Sequence, residues 1–375
     1  MSRSLMRVSR ATSLLLLFTG CIGALKNDIG LLTDAQRRRC SNARAAFTAA
    51  VQDPMLKQPD YNPLDLATLI AAEERSMDAM VMPHEIRSSI GSRIEQLVAP
   101  AAQRLALERS VSGKDAEPEG VVDAVSTALF GSAGSPDDNS NGYFQTCVAD
   151  SPASSLLDSV VERRRGTPLC VALIASDACA QLGVSLVGIA TPERILLAPR
   201  RAPDDENAPP FVLDCSSGAG LLLQDQAAEV VAMDLGASGS EPLDKRLGYG
   251  RAALRSLHSA PLTALQWGSA MLRCLRRVHE EDGDVVRLLG VCDRLRLIGA
   301  HSRLAVSDEE MQEYAAQVAL CIYELRWTQR RAEAKVLLNR ILQYAKHPEG
   351  RGKFDDASLA RVEDLLEQPF FGDQE

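Results

Sequence analysis

The chain has 375 residues, 46% of them hydrophobic and 24% charged, with a formal net charge of −9. This length accommodates two or three domains of ordinary globular composition, and the negative balance excludes general nucleic-acid binding, which needs a basic surface. Aromatic residues make up only 4%, so the core is aliphatic and alanine-rich, which suits helices.

The first 27 residues stand apart. Arg3, Arg7, Arg10 and Lys26 are their charges, and no acid precedes Asp28. Such a segment reads as a targeting sequence. Its Arg- and Ser-rich, acid-free character fits an organellar transit peptide for a chloroplast or mitochondrion. The apolar core from Ser13 to Ala24, and Thr19-Gly20-Cys21, leave a secretory signal or a lipid anchor within residues 1–24 as the alternative. That core is shorter than the roughly 20 residues a spanning helix needs, and no later segment predicts one.

Residues 28–110 predict helices. Asn62-Pro63 opens one, with Asp65 in its first turn and Leu66, Leu69 and Ile70 as its stripe. Pro83 to Leu107 predicts another through Ile86, Ile90, Ile94 and Leu97. Residues 111–150 read as a flexible connector around a short apolar helix, Val121 to Phe130.

The block 151–235 changes character. A helix over Leu156 to Arg164 precedes Gly166-Thr167-Pro168-Leu169-Cys170. Thr167 is a natural N-cap and Pro168 a natural first helical residue. Cys170 then falls about three residues inside, where the helix dipole favours a thiolate. Gly183 closes this helix. Three β-like runs follow, Ser185 to Ala190, Arg194 to Ala198 and Phe211 to Asp214, with a polar loop from Pro199 to Pro210. One helix on a small antiparallel sheet is the expected arrangement.

Residues 236–258 read as a linker, and 259–375 return to helices. Trp267, Met271, Leu275 and Val278 form one stripe, and Asp284 caps the next helix. Ser307 and Glu310 form a capping box. The helix pair from Ala315 to Pro348 has the length of one tetratricopeptide unit, about 34 residues.

Nine cysteines are scattered without a CxxC pair. Most sit beside apolar neighbours in helical patterns, as free buried thiols do. No disulfide framework, metal site or cofactor is expected, and the compartment reads as reducing. The clusters Arg37-Arg38-Arg39 and Arg163-Arg164-Arg165 read as solvated helix surface or ion-pair partners.

Taken in order, these residues resemble a known family. The elements are Leu129-Phe130-Gly131, Tyr143-Phe144, the run Ser154 to Pro168 with its Arg-Arg-x-Gly-x-Pro, the turn Gln181-Leu-Gly-Val184, Val187 to Leu197, and Phe211-Val-Leu-Asp214. Over roughly residues 45–367 they resemble the transglutaminase-like, tetratricopeptide-containing proteins of the SirB invasion-regulator type. The resemblance implies a papain-like core and repeat helices after it. It also exposes three departures. The residues after Asp214, Cys215-Ser216-Ser217-Gly218, replace the usual Pro-Phe-Asn-Gly of such proteins. Where such proteins carry Pro-Gly-His-Phe, this chain has Pro192-Glu193-Arg194-Ile195, so Arg194 stands at the histidine position. Counting back from Leu182-Gly183, the family's nucleophile position falls nearer Pro168 than Cys170. The acidic partner is retained as Asp214.

A thiol nucleophile needs a base that accepts its proton. Arg194 stays protonated and accepts none, so its expected role is an ion pair with Asp214. The fold expected is α+β and mostly helical: a helical N-terminal region, a small transglutaminase-like domain and tetratricopeptide-like helices. The function expected is that of a non-catalytic interaction or regulatory protein whose protein partner binds through residues 259–375. The alternative is a thiol hydrolase or acyltransferase using Cys170, Asp214 and Arg194. Docking through 151–235 instead of the repeats is a third reading.

Overall fold

A computed structural model describes residues 34–58, 61–131, 144–200, 207–216, 220–348, 350, 354 and 356–371. The expected targeting segment lies outside these residues. The architecture is α+β and mostly helical, with one small antiparallel sheet. Two compact units divide it, one of residues 39–271 and one of residues 272–371 with 34–38.

The first unit opens with α1 (Asp34–Gln52), α2 (Pro63–Ser76), α3 (Pro83–Ser112) and α4 (Pro118–Phe130). Asn62 caps α2 by accepting from the Leu64 amide at 3.0 Å, with Pro63 in its first turn. In α3, Ile86, Ile90, Ile94 and Val98 are buried at steps of four, the spacing of one helix face. α3 continues five residues past its expected end, to a left-handed Gly113 cap. The expected connector is therefore helical at its start.

Next come β1 (Gln145–Thr146), α5 (Leu157–Arg163), β2 (Arg165–Gly166) and α6 (Pro168–Gln181). β1 and β2 pair in parallel just before α6 begins. The antiparallel sheet follows in sequence order: β3 (Leu186–Ala190), β4 (Ile195–Pro199), β5 (Phe211–Asp214) and β6 (Gly220–Leu223). After it come α7 (Gln224–Asp234) and α8 (Leu243–Ser259).

The alternation of strand side chains decides which helix each face meets. Ile189, Leu196, Ala198 and Val212 pack with Ala227 and Val231 of α7 and Leu254 of α8. α6 packs against β3 and β4, and α4 against β5 and β6. Helices thus cover the sheet more fully than the single expected one.

Two further differences have physical reasons. β6 is a short apolar run, which periodicity alone cannot assign. The expected linker 236–258 contains α8, whose helical signal Gly248 and Gly250 weaken. Gly250 is there because α7 and α8 touch backbone to backbone: a Cβ at this position would collide with the Ala228 carbonyl.

α9 (Ala264–Asp282) starts in this first unit. A Cβ at Gly188 of β3 would fall inside the Trp267 indole, and the Leu262 amide donates to the Gly188 carbonyl at 2.9 Å. The absence of one side chain therefore docks the start of α9 onto the sheet.

The second unit holds the rest of α9, then α10 (Val285–His301), α11 (Asp308–Glu324), α12 (Arg331–Lys346) and α13 (Asp356–Glu367). Asp284 caps α10 by accepting from the Arg287 amide at 3.0 Å, and Ser307 with Glu310 makes the capping box of α11. Arg273 donates to Glu310 and Arg276 to Glu313, each at 2.8 Å. Arg330 donates to Asp293 at 2.8 Å and Arg296 to Glu333 at 3.5 Å. In all four pairs the partners lie 37 residues apart. α9 thus pairs with α11, and α10 with α12, at one common offset. Among the described residues, no helix is long and apolar enough to cross a membrane.

Candidate functional site

β3 and β4 are joined by the tight turn Thr191 to Arg194. The Thr191 amide donates to the Arg194 carbonyl at 2.9 Å, and the Arg194 amide donates to Thr191 Oγ1 at 3.1 Å. This turn fixes where the Arg194 side chain starts. Asp214 ends β5 and pairs with Leu196 of β4, two residues beyond Arg194, so the two side chains meet on one side of the sheet.

Arg194 Nη1 donates to Asp214 Oδ2 at 2.9 Å. The other edge of the same guanidinium donates from Nε and Nη2 to Asp234 of α7, at 2.8 and 3.0 Å. The side chains of Asp214 and Asp234 are 1% and 3% exposed, against 27% for Arg194. Asp214 Oδ1 also accepts from the Ser216 amide at 2.8 Å and from the Ser216 hydroxyl. Thr191 Oγ1 donates to Asp234 Oδ2 at 2.6 Å. Burial pulls the Arg194 pKa down, but the hydrogen bonds to Asp234 and Asp214 outweigh it and hold the guanidinium above its ordinary value. The group is a permanent cation with two carboxylates and offers no proton acceptor at the Arg194 position.

Cys170 occupies the predicted place. Thr167 caps α6 by accepting from the Cys170 amide at 3.4 Å, and Pro168 is the first helical residue. The thiol is fully buried, and its sulfur donates to the Ser155 carbonyl at 3.3 Å. That bond ties it to the segment before α5. Pro168, two residues before Cys170, is half-buried.

Cys179 and Cys215 lie in the core. Burial pushes Cys179 up to about 12. Cys215 rises well above the ordinary thiol value through burial, then through Asp214 and Cys179 beside it. In this unit the described histidines are His84 and His258. His84 is exposed at the start of α3. His258 Nε2 bonds the Pro199 carbonyl at 2.8 Å, at the far end of β4. Pro199 lies five steps along the chain from Arg194, on the order of 16 Å at about 3.3 Å per residue. Among the described residues, no group of three or more His, Cys, Asp or Glu side chains is arranged to hold a metal ion.

Residues 88–247 match the transglutaminase-like superfamily. The matched region runs from α3 into α8, beyond 151–235 on both sides. UPF0162 protein PA3419 of Pseudomonas aeruginosa is 34% identical over 128 residues, 31% of this chain and 44% of that protein. A UPF0162 protein of Xylella fastidiosa is 31% identical over 137 residues, 34% of this chain and 46% of that protein. The chain thus spans less than half the length of these curated relatives. No solved structure matches it.

Of the three residues anticipated for the site, Arg194 and Asp214 come together, and Cys170 bonds Ser155. Asp234 and Thr191 were missed. Asp234 carried a readable signal: it is the last residue of a helix, where the dipole disfavours an anion. An acid in that place calls for a cation, and Arg194 supplies it.

Proposed function

We propose that this protein is a non-catalytic interaction or regulatory protein of the SirB type, in which a transglutaminase-like domain has exchanged its catalytic centre for a salt-bridged one. The observation that carries this reading is Arg194 bound between Asp214 and Asp234. By the family resemblance Arg194 stands where a base should be, and a guanidinium cannot take a thiol proton. The buried Cys170 thiol, bonded to Ser155, supports the same reading.

The helices after residue 259 are the partner-binding part of this proposal. Their ion pairs recur at a common 37-residue offset, which supports stacked helical hairpins, since repeats stack by matching one unit on the next; the offset is about one helical turn longer than the roughly 34-residue tetratricopeptide unit. Residues 1–27 are proposed to direct the chain to an organelle.

The test is an acyl-transfer and hydrolysis assay on the full chain, with amine and water as acceptors. No turnover beyond that of Cys170→Ser is expected. Thiol-dependent turnover abolished by Cys170→Ser would establish the alternative, a hydrolase or acyltransferase using Cys170 with Asp214. Cross-linking of the full chain to its partner should map contacts to residues 259–375, and contacts confined to 151–235 would overturn that part.

A further inference from the structure

α13 is an amphipathic helix that packs on α12, over a much smaller contact than α11 makes with α10 or α12. Only Ser358 and Val362 of α13 are fully buried. The two phenylalanines beyond α13 fix its end. Phe371 is 2% exposed and stacks on Tyr323 of α11 at 5.8 Å, and Phe370 meets the same ring edge-on at 5.7 Å. Arg326 takes a left-handed φ of 49°, which L residues rarely adopt, and its guanidinium lies 4.3 Å from the Tyr323 ring centre. The aromatic anchor thus includes a sparsely populated backbone conformation.

The two helices carry opposite charge. α12 carries Arg331, Lys335, Arg340 and Lys346 against one acid, Glu333. α13 carries Asp356, Glu363, Asp364 and Glu367 against one cation, Arg361. An acidic helix therefore lies on a basic one, held by few buried side chains and one aromatic anchor.

We propose that Asp356–Phe371 is a releasable strap that covers the recognition face of α12 and the end of α11, and that an acidic amphipathic helix of a partner protein displaces it. The strap itself shows what the face accepts: an apolar stripe at i, i+3 and i+7, Leu359, Val362 and Leu366, flanked by acids and closed by aromatic residues. This rests on the reading of these helices as partner-binding. The two fail separately, because the strap is tested within this chain alone and the reading by cross-linking to the partner.

Hydrogen exchange on the full chain should show α13 amides exchanging at least about 100-fold faster than those of α11. The full-length variant Val362→Asp/Phe371→Ala should bind a fluorescent synthetic peptide of residues 356–371 at least about 10-fold more tightly than the unmodified chain does. That binding should weaken as salt rises, since screening acts on exposed charge pairs. Equal protection of α13 and α11 overturns the proposal, as does a variant that binds the peptide no better than the unmodified chain. If the variant loses α11 protection, the strap is an integral part of the fold and the proposal fails.

Discussion

One edge of the Arg194 guanidinium grips Asp234 at 2.8 and 3.0 Å while its Nη1 holds Asp214 at 2.9 Å. The end of α7 is thereby tied to the turn before β4 and to the end of β5. Two nearly inaccessible carboxylates depend on this one cation. Removing one partner of a buried pair leaves an uncompensated charge and costs about 3–5 kcal/mol. Arg194→Ala is expected to lose that much in urea unfolding. Arg194→Met with Asp234→Leu should recover part of the loss, because one orphaned charge goes with its partner. A single Arg194→Ala that unfolds at the unmodified midpoint would show that the contact is idle.

Arg194→His introduces the histidine that the proposed resemblance places here and tests what stands around it. Nε, Nη1 and Nη2 reach two acids, and an imidazole cannot span both. This variant is expected to be destabilised and to gain no acyl-transfer activity, because the buried Cys170 thiol bonds the Ser155 carbonyl. Measurable thiol-dependent turnover in Arg194→His would show that a single substitution separates this centre from a working one.

Gly188 and Trp267 form a steric lock between β3 and α9. Overpacking a filled site costs typically about 1–3 kcal/mol. Gly188→Ala should lose stability in this range, and Trp267→Leu in the same chain should relieve some of it. Gly250→Ala faces the Ala228 backbone carbonyl, which cannot rotate away, so a smaller partner side chain is expected to bring no relief. Thermal unfolding of the single and double variants separates the two cases.

Glu324 ends α11, and burial raises its pKa to about 7. The sign follows from linkage. Near pH 4 the carboxyl is largely protonated in both folded and unfolded chains and costs little. As pH rises from about 4.5 to 7, the unfolded chain releases its proton while the folded chain keeps it, so stability falls. Glu324→Gln should therefore be more stable than the unmodified chain at pH 8 and indistinguishable from it near pH 4. A constant difference across this range would remove the titration from the explanation.

Much of the fold is legible in the residues. Asn62-Pro63, Thr167-Pro168, Asp284 and Ser307 with Glu310 announce their helices, because caps act locally and need no tertiary partner. Phe211–Asp214 is bounded as a strand in the sequence because its apolar run stops at an acid. α8 is hidden, since Gly250 weakens a helix locally and is required only where Ala228 approaches. The site divides in the same way. Arg194 and Asp214 are legible because a family pattern aligns them, and their contact follows from charge. Asp234 comes from a helix 20 residues beyond Asp214, and only the packing of α7 on the sheet brings it to Arg194. The 37-residue offset of the ion pairs is likewise a property of stacked helices, which no single helix displays.

The central claim is that the thiol-enzyme centre has become a structural one. It is tested most directly by residue-resolved alkylation of the native full chain from pH 6 to 9. The account predicts that Cys170, fully buried and bonded to Ser155, stays unmodified while the half-buried Cys40 and Cys147 react. Rapid modification of Cys170 with a midpoint below the ordinary thiol value of about 8.5, together with turnover lost in Cys170→Ser, would contradict it.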